Sequence, residues 1–409
     1  MTTTARLRIE SIAAGGDGVA HHNGLAVFVP RTAPGDVVDA TVDVRGRFAR
    51  ARVDTLVEPS ADRVRPPCVH YTRDRCGGCQ LQHVHYDAQL TAKRRIIGDA
   101  VERIGRREVP DVAVQPSPRE WAYRTKLTLA LRWRGGRWVA GLHPYDNPDG
   151  VFQLEECLIT DDAVVSIWRA IFEAAELLPR VPRLRGAVRV TDEGASFVLE
   201  GGSQWPTAAS FADRVPSLTT VWWDSANGRR RLVVDRRSTK SPDASFAQVN
   251  AAAAPLLHAH VVATALAHAP RTVVDAYAGA GATAVRLAEE GVTVLAIEVD
   301  SAAARWMRAR LPAPSRAIAA RVEDALEAAL PADVVIVNPP RAGVDVRVTD
   351  VLTRADTPRA IIYVSCNPAT LARDLTRLPN YRVASMKAFD MFPQTAHVET
   401  VCELVPEAA

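Results

Sequence analysis

From Ser245 onward, β-branched runs centred on Val274, Leu295, Val335 and Ile362 alternate with Ala-rich stretches of helical character. Strands separated by helix-length segments cannot pair as hairpins. They require crossovers, so this pattern predicts a parallel, doubly wound α/β sheet. Such sheets bind ligands beyond the carboxyl ends of their strands, and three of those ends carry unusual residues. One strand runs into Asp275-Ala276-Tyr277-Ala278-Gly279-Ala280-Gly281, the next into Asn338-Pro339-Pro340-Arg341, and the last into Ser365-Cys366-Asn367-Pro368. A free thiol is most often inert and buried. One that sits where a strand breaks into Asn-Pro is placed for chemistry instead.

The remaining chain bounds the architecture. At 409 residues two or three domains are expected, and 47% hydrophobic with 24% charged residues is a globular composition. Residues 1–60 alternate short β runs with Gly and Pro turns, which predicts a small OB-like barrel. Residues 61–244 read as a mixed α+β domain, with a helix from about Asp87 to Ile104 and strands over Lys126–Trp133, Gly186–Val190 and Ser196–Leu199. Residues 245–409 form the Rossmann-like unit. The amino terminus lacks a signal-peptide pattern and no apolar run reaches the ~20 residues of a membrane span. A cytoplasmic, reducing location is the expectation, and the six cysteines then need a role other than disulfides.

A net charge of +3 is too small to imply nucleic acid, but its distribution is uneven. From Arg119 to Arg137 six Lys or Arg interleave with Trp121, Tyr123 and Trp133 against the single acid Glu120. A second cationic stretch runs from Gln89 to Arg107. Cations among aromatics suit phosphates and unstacked bases; a solvated face reads the same way.

The glycines at Gly279 and Gly281 would let the backbone approach a ligand, although the third glycine of a dinucleotide fingerprint is missing. Glu298 ends the next strand, where a carboxylate can grip a ribose diol, and Asp324 follows where it could meet an adenine amino group. This order of features resembles the S-adenosylmethionine pocket of class I methyltransferases. Asn338-Pro339-Pro340 is similar to the loop of amino-group methyltransferases, but Arg341 stands where those enzymes carry a stacking aromatic. The cysteine that RNA cytosine-5 methyltransferases carry in this loop is absent from it. Methylation of carbon at C5 of uracil needs a nucleophile to activate the ring and a base to remove the C5 proton. Cys366 offers the first; Glu399 and His397, in the segment Phe389–Thr400, offer the second.

With Ser245-Phe246-Ala247-Gln248-Val249-Asn250, these motifs closely resemble the RNA uridine-5-methyltransferase family over nearly the whole chain. The resemblance implies that Cys366 is the nucleophile and Glu399 the base. It also implies that Gln248, Tyr277, Glu298, Asp324 and Asn338 line the methyl-donor pocket. The first barrel would be a TRAM-type RNA-binding module. Asn338 stands where many members have Asp, and this Asn form resembles a branch acting on large-subunit (23S) ribosomal RNA; Ala282 stands where many have Asn. Cys68, Cys76, Cys79 and the remote Cys157 can hold zinc or an iron–sulfur cluster. Three close cysteines and one distant resemble the family's 4Fe-4S site, while His70, His83 and His85 read as bystanders. The expected partner is RNA, ribosomal before transfer. The competing readings are amino-group methylation at Asn338 and a non-catalytic RNA-binding protein.

Overall fold

A computed structural model describes residues 2–239, 248–354 and 358–407. The first strands, β1 (Thr2–Arg8), β2 (Ser11–Ile12), β3 (Gly18–His22), β4 (Leu25–Val29), β5 (Val37–Arg45) and β6 (Phe48–Glu58), make one sheet in the order β1-β5-β6-β4-β3-β2. It encloses a core that includes Leu7, Ile9, Val27, Val29, Val38 and Val42. Helices α1 (Val69–Thr72) and α2 (Tyr86–Arg103) follow, then β7 (Ala113–Gln115).

A second sheet contains β8 (Lys126–Arg134), β9 (Arg137–Gly141), β10 (Arg183–Thr191), β11 (Gly194–Glu200), β12 (Leu218–Asp224) and β13 (Arg230–Asp235). Its order is β13-β12-β11-β10-β8-β9. Helices α3 (Asp162–Glu173) and α4 (Ala208–Arg214) lie between its strands in the chain. Trp168 of α3 packs on Phe197, which packs in turn on Phe211, and Leu127, Leu129, Leu131 and Leu184 share their core. Gly186 is required here, because a Cβ would sit 2.6 Å from the Trp168 ring.

After α5 (Ala254–Ala267) the expected alternation appears: β14 (Thr272–Ala276), α6 (Ala282–Glu289), β15 (Thr293–Glu298), α7 (Ser301–Arg308), β16 (Arg316–Ala319), α8 (Val322–Ala329), β17 (Val334–Val337), α9 (Val346–Leu352), β18 (Ala360–Ser365) and α10 (Pro368–Leu375), closed by β19 (Tyr381–Phe389) and β20 (Glu399–Pro406). The sheet order is β16-β15-β14-β17-β18-β20-β19-β7, with β14 to β18 parallel and β20 antiparallel to its neighbours. The chain reverses its direction of winding between β14 and β17, which opens a crevice at their carboxyl ends. All of β17 and β18 is buried. Each buried Val or Ile contributes about 1.5–3 kcal/mol, and burial on both sheet faces explains the continuous apolar runs.

The edge strand β7 pairs with β19, so residues upstream of 245 complete the eight-stranded sheet. Ile97, Val101 and Val112 share its core. The 244/245 boundary and Ser245–Ala247 lie outside the described residues.

Candidate active site

The three strand ends named above meet at one edge of the crevice. β18 delivers Cys366, half-buried, and Asn367 caps α10 by accepting from the Ala369 and Thr370 amides with Pro368 in the first turn. Asn367 Nδ2 and Thr370 Oγ1 both donate to the Arg341 carbonyl, at 3.4 and 3.1 Å, which ties the Asn338–Arg341 loop to the cysteine turn. Gly343 makes that approach possible. Its φ is 82°, and a Cβ there would come within 2.3 Å of Asp374 Oδ2. Asp374 is fully buried and accepts from Tyr363 Oη at 2.7 Å and from the Val344 amide at 3.0 Å, locking the two loops together.

Glu399 arrives from the other direction. Ser365 pairs with Thr400 in the antiparallel β18–β20 ladder, so the next position on each strand sets Cys366 opposite Glu399. Glu399 is 4% exposed, and burial pushes its carboxyl up to about 7 against the opposing pull of Arg341. Burial, then the Glu399 charge, also raises the Cys366 thiol, while Arg341 lowers it. A half-buried thiol and a buried carboxyl therefore share one nearby cation. His397 is exposed on the loop before Glu399.

The glycine turn lies across β14. Tyr277, Gly279 and Gly281 all take positive φ, of 61°, 57° and 84°. A Cβ on Gly281 would strike the Met307 side chain at 2.2 Å. Glu298 closes the turn, accepting from the Gly279 and Asp300 amides at 2.8 Å each. A carboxylate has about four acceptor sites, so capacity for a diol remains. Beside Glu298, Val299 is 68% exposed, an apolar surface at a ligand-binding edge. Asn338 joins β17 to this turn through its amide, which donates to the Ala276 carbonyl at 3.2 Å. Gln248 is partly buried in a segment held by buried Asn250, whose Nδ2 donates to Ser117 Oγ and the Met391 carbonyl.

Asp324 sits apart from this group: it is exposed and ion-paired with Arg347 at 2.8 Å. Its neighbour Glu323, with a 7% exposed side chain, acts on Tyr277, ahead of Asp345 and Asp374. Burial, with Glu323 next in effect, holds the Tyr277 hydroxyl up at about 12. Glu323 and Asp324 are adjacent, and only the helix phase of α8 separates their surroundings. Buried Asp275 was also not singled out as a site. Its Oδ2 finds no hydrogen-bond partner among the described residues, and burial raises it to about 7.

The second candidate centre is the set Cys68, Cys76, Cys79 and Cys157. All four line one cavity of about 90 Å³. Among the described residues no His, Cys, Asp or Glu group of three or more gathers so as to hold a single metal ion. One tetrahedral zinc, at about 2.3 Å per bond, would need the sulfurs almost in contact. Burial raises Cys76 to about 11 and pushes Cys79 and Cys157 up as well, so these thiols stay protonated unless a cation joins them. His70 lines the cavity, but its nitrogens are taken by Asp74 and by the Glu155 amide. His83 bonds Tyr71 Oη instead.

Comparison with known proteins agrees with this geometry. The tRNA (Uracil-5-)-methyltransferase family model matches residues 316–405, which span the Asn338, Cys366 and Glu399 motifs. An uncharacterized RNA methyltransferase from Thermosynechococcus vestitus is 32% identical, covering 98% of each chain. Another from Protochlamydia amoebophila is 30% identical over 97% of this chain and 96% of its own. Among solved structures, the Pyrococcus abyssi tRNA (uracil-54, C5)-methyltransferase bound to S-adenosyl-L-homocysteine matches with a TM-score of 0.69 at 23% identity, covering 98% of this chain and 100% of that one. That likeness establishes the fold, a class I methyltransferase domain carried with two further sheets. The chain belongs to the RNA (uracil-5-)-methyltransferase family.

Proposed function

We propose that this protein methylates C5 of a uridine in RNA through a covalent adduct at C6, with Cys366 as nucleophile and Glu399 as base. The carrying observation is the β18–β20 register, which sets a half-buried thiol opposite a buried carboxyl titrating near neutrality. S-adenosylmethionine, when bound, supplies an electrophilic methyl group. The glycine turn with Gly279 and Gly281, the Glu298 carboxylate, Tyr277, Asn338 and Gln248 would hold it, and exposed Val299 offers its adenine an apolar face. The unpartnered Asp275 Oδ2 beside that turn fits a polar ligand. Asp324 would first have to leave Arg347.

Cys366 Sγ, as thiolate, adds to C6 of the uracil, and the C5–C6 π pair moves onto C5 and O4 as an enolate. Arg341 favours the thiolate. C5 then takes the methyl group as the donor's S–CH3 bond breaks, releasing the neutral thioether S-adenosylhomocysteine, and carries both methyl and hydrogen. Glu399 removes that hydrogen as a proton, C5=C6 re-forms and the C6–S bond breaks, which regenerates the thiolate. A base working near pH 7 is best matched by a carboxyl raised to about 7. Attack at C6 needs an exposed ring face, so the uridine must be extruded from its stack.

The four cysteines would hold a 4Fe-4S cluster that orders the loops between the first two sheets. Iron and sulfide analysis of anaerobically purified protein tests this, with the Cys76→Ser variant expected to lose both. A cytoplasmic, reducing location accords with that cluster and with six unpaired thiols. Asn338 supports 23S ribosomal RNA as substrate over transfer RNA. The deciding experiment incubates the protein with S-adenosylmethionine and 5-fluorouridine-substituted ribosomal or transfer RNA. Fluorine at C5 cannot leave as a proton, so a denaturant-resistant adduct should form with the true substrate and vanish in Cys366→Ala. No adduct with either RNA, in protein that binds the donor, would instead favour amino-group methylation or a binding protein.

A further inference from the structure

We propose that the turn carrying Cys76 and Cys79 positions the catalytic base, with Gln80 and Gln394 as the positioning residues that transmit its hold to Glu399. This rests on the role given to Glu399 above. Glu399 pairs with Phe389 across β19 and β20, so residues 390–398 are the hairpin loop between them. Hairpin loops usually run to about 2–5 residues. A loop of this length does not fix the entry of its own strand, so bonds from outside must do so. Four successive carbonyls of the loop are each taken by a different part of the chain. Met391 accepts from Asn250 Nδ2 at 3.3 Å, Phe392 from Lys93 Nζ at 3.1 Å and Pro393 from Tyr123 Oη at 3.0 Å. Gln394 accepts twice, from the Gln80 and Leu81 amides at 3.1 and 3.0 Å.

Gln394 is buried and takes a φ of 68°, a strained conformation for a residue with a side chain. Such strain persists where the surroundings over-determine it. Here Gln89 does so, donating from Nε2 to Gln394 Oε1 at 2.9 Å and accepting from the Gln394 amide at 3.0 Å. Gln80 carries the hold onward. Its Nε2 donates to the Gly77 carbonyl inside the cysteine turn at 2.8 Å, and its Oε1 accepts from the Ala396 amide at 3.4 Å. Ala396 lies three residues before Glu399, so one side chain spans from the cysteine turn to the strand that carries the base. Gly16 of the first sheet backs this contact. Its φ is 89°, and a Cβ there would collide with Gln80 Cβ and lie 3.4 Å from Ala396 Cβ. Tyr123, which holds Pro393, is itself buried in one cluster with Cys68 and Cys79. Cys366 is held by other bonds, from Asn367 and Thr370 to the Arg341 carbonyl. Loosening the loop should therefore slow proton removal and leave thiol attack and methyl transfer intact.

The test compares full-length wild type with Gln80→Ala, Gln394→Ala and Glu399→Gln, each given S-adenosylmethionine with ribosomal or transfer RNA containing uridine or 5-fluorouridine. The 5-fluorouridine adduct forms before the base acts, so both glutamine variants should form it at the wild-type rate. On uridine RNA their kcat should fall about 10–100-fold, the scale of a displaced catalytic group. Their kcat/KM should stay at the wild-type value, because the slowed step follows irreversible methyl transfer. They should also accumulate the C5-methylated covalent species expected of Glu399→Gln. A merely structural role would lower kcat, kcat/KM and the rate of adduct formation together. That pattern, or wild-type turnover in Gln80→Ala, would overturn the proposal. Gln80 is only partly buried, so Gln80→Ala decides alone if Gln394→Ala does not fold. No 5-fluorouridine adduct in wild type would overturn the reaction itself and this inference with it.

Discussion

Two buried carboxylates bracket the loop between β19 and β20, and they are treated in opposite ways. Asp390 meets Lys93 Nζ at 2.5 Å, with both side chains fully buried, and its Oδ1 also accepts from the Phe392 amide. Gln89 and Gln394 exchange two further hydrogen bonds beside them. Together these bonds fasten α2 to the loop. Glu399, nine residues on, has no such fixed cation among the described residues and is held near neutral by burial, against the pull of Arg341. A carboxyl kept at about 7 is a good proton acceptor near neutrality. Along a single loop, one acid sets the geometry and the other is left free to titrate. Burial pulls the Lys93 ammonium down, and the Asp390 carboxylate opposes that pull.

The contrast can be broken at either end. Glu399→Gln should slow turnover about 10²–10⁴-fold, the scale of a lost general base, without unfolding the protein. Asp390→Asn should do the reverse. It strands the Lys93 charge in the core and should cost about 3–5 kcal/mol in urea unfolding. Joint replacement by Lys93→Met and Asp390→Leu should recover most of that, and near-wild-type stability in Asp390→Asn alone would show that the pair is no anchor.

The smallest effect is a dependence on pH. The folded Glu399 carboxyl titrates at about 7, above its ordinary 4.5, so the folded protein binds the proton more tightly than the unfolded chain. That contribution to stability is complete below the unfolded value and is lost as pH rises through about 7. Glu399→Gln should therefore raise stability by about 1–3 kcal/mol at pH 8 and little at pH 4. Over the same range, wild-type methylation should rise with pH, through Glu399 near 7 and without a plateau by pH 8, because the Cys366 thiol is raised above its ordinary value. A rate independent of pH between 5 and 8, or equal stabilisation at both pH values, would remove Glu399 from the role.

Much of the catalytic sheet is legible in the sequence because its strands are buried on both faces. The runs centred on Val274, Leu295, Val335 and Ile362 became β14, β15, β17 and β18. The helix expected from about Asp87 to Ile104 spans Tyr86–Arg103. The edge strand β16 was not anticipated, since Arg316–Ala319 is short and half-exposed and carries no strong pattern. Nor was β7, which joins the sheet by pairing with a strand more than 250 residues away. The Lys93–Asp390 pair shows the same limit: neither residue's surroundings can be read locally. Cys366 and Glu399 could be found from their motifs, but their opposition depends on register. Glu323 and Asp324 were indistinguishable by type, and only the packing of α8 separated them.

The most direct measurement of the central claim uses ordinary uridine RNA and the Glu399→Gln variant. With S-adenosylmethionine present, this variant should accumulate a covalent protein–RNA species by mass spectrometry. Its uracil should be joined at C6 to Cys366 and carry the transferred methyl on a C5 that still holds its hydrogen, while wild type turns over and shows little of it. Wild-type turnover in Glu399→Gln, or no covalent species when RNA and donor are both bound, would contradict the assignment of these two residues.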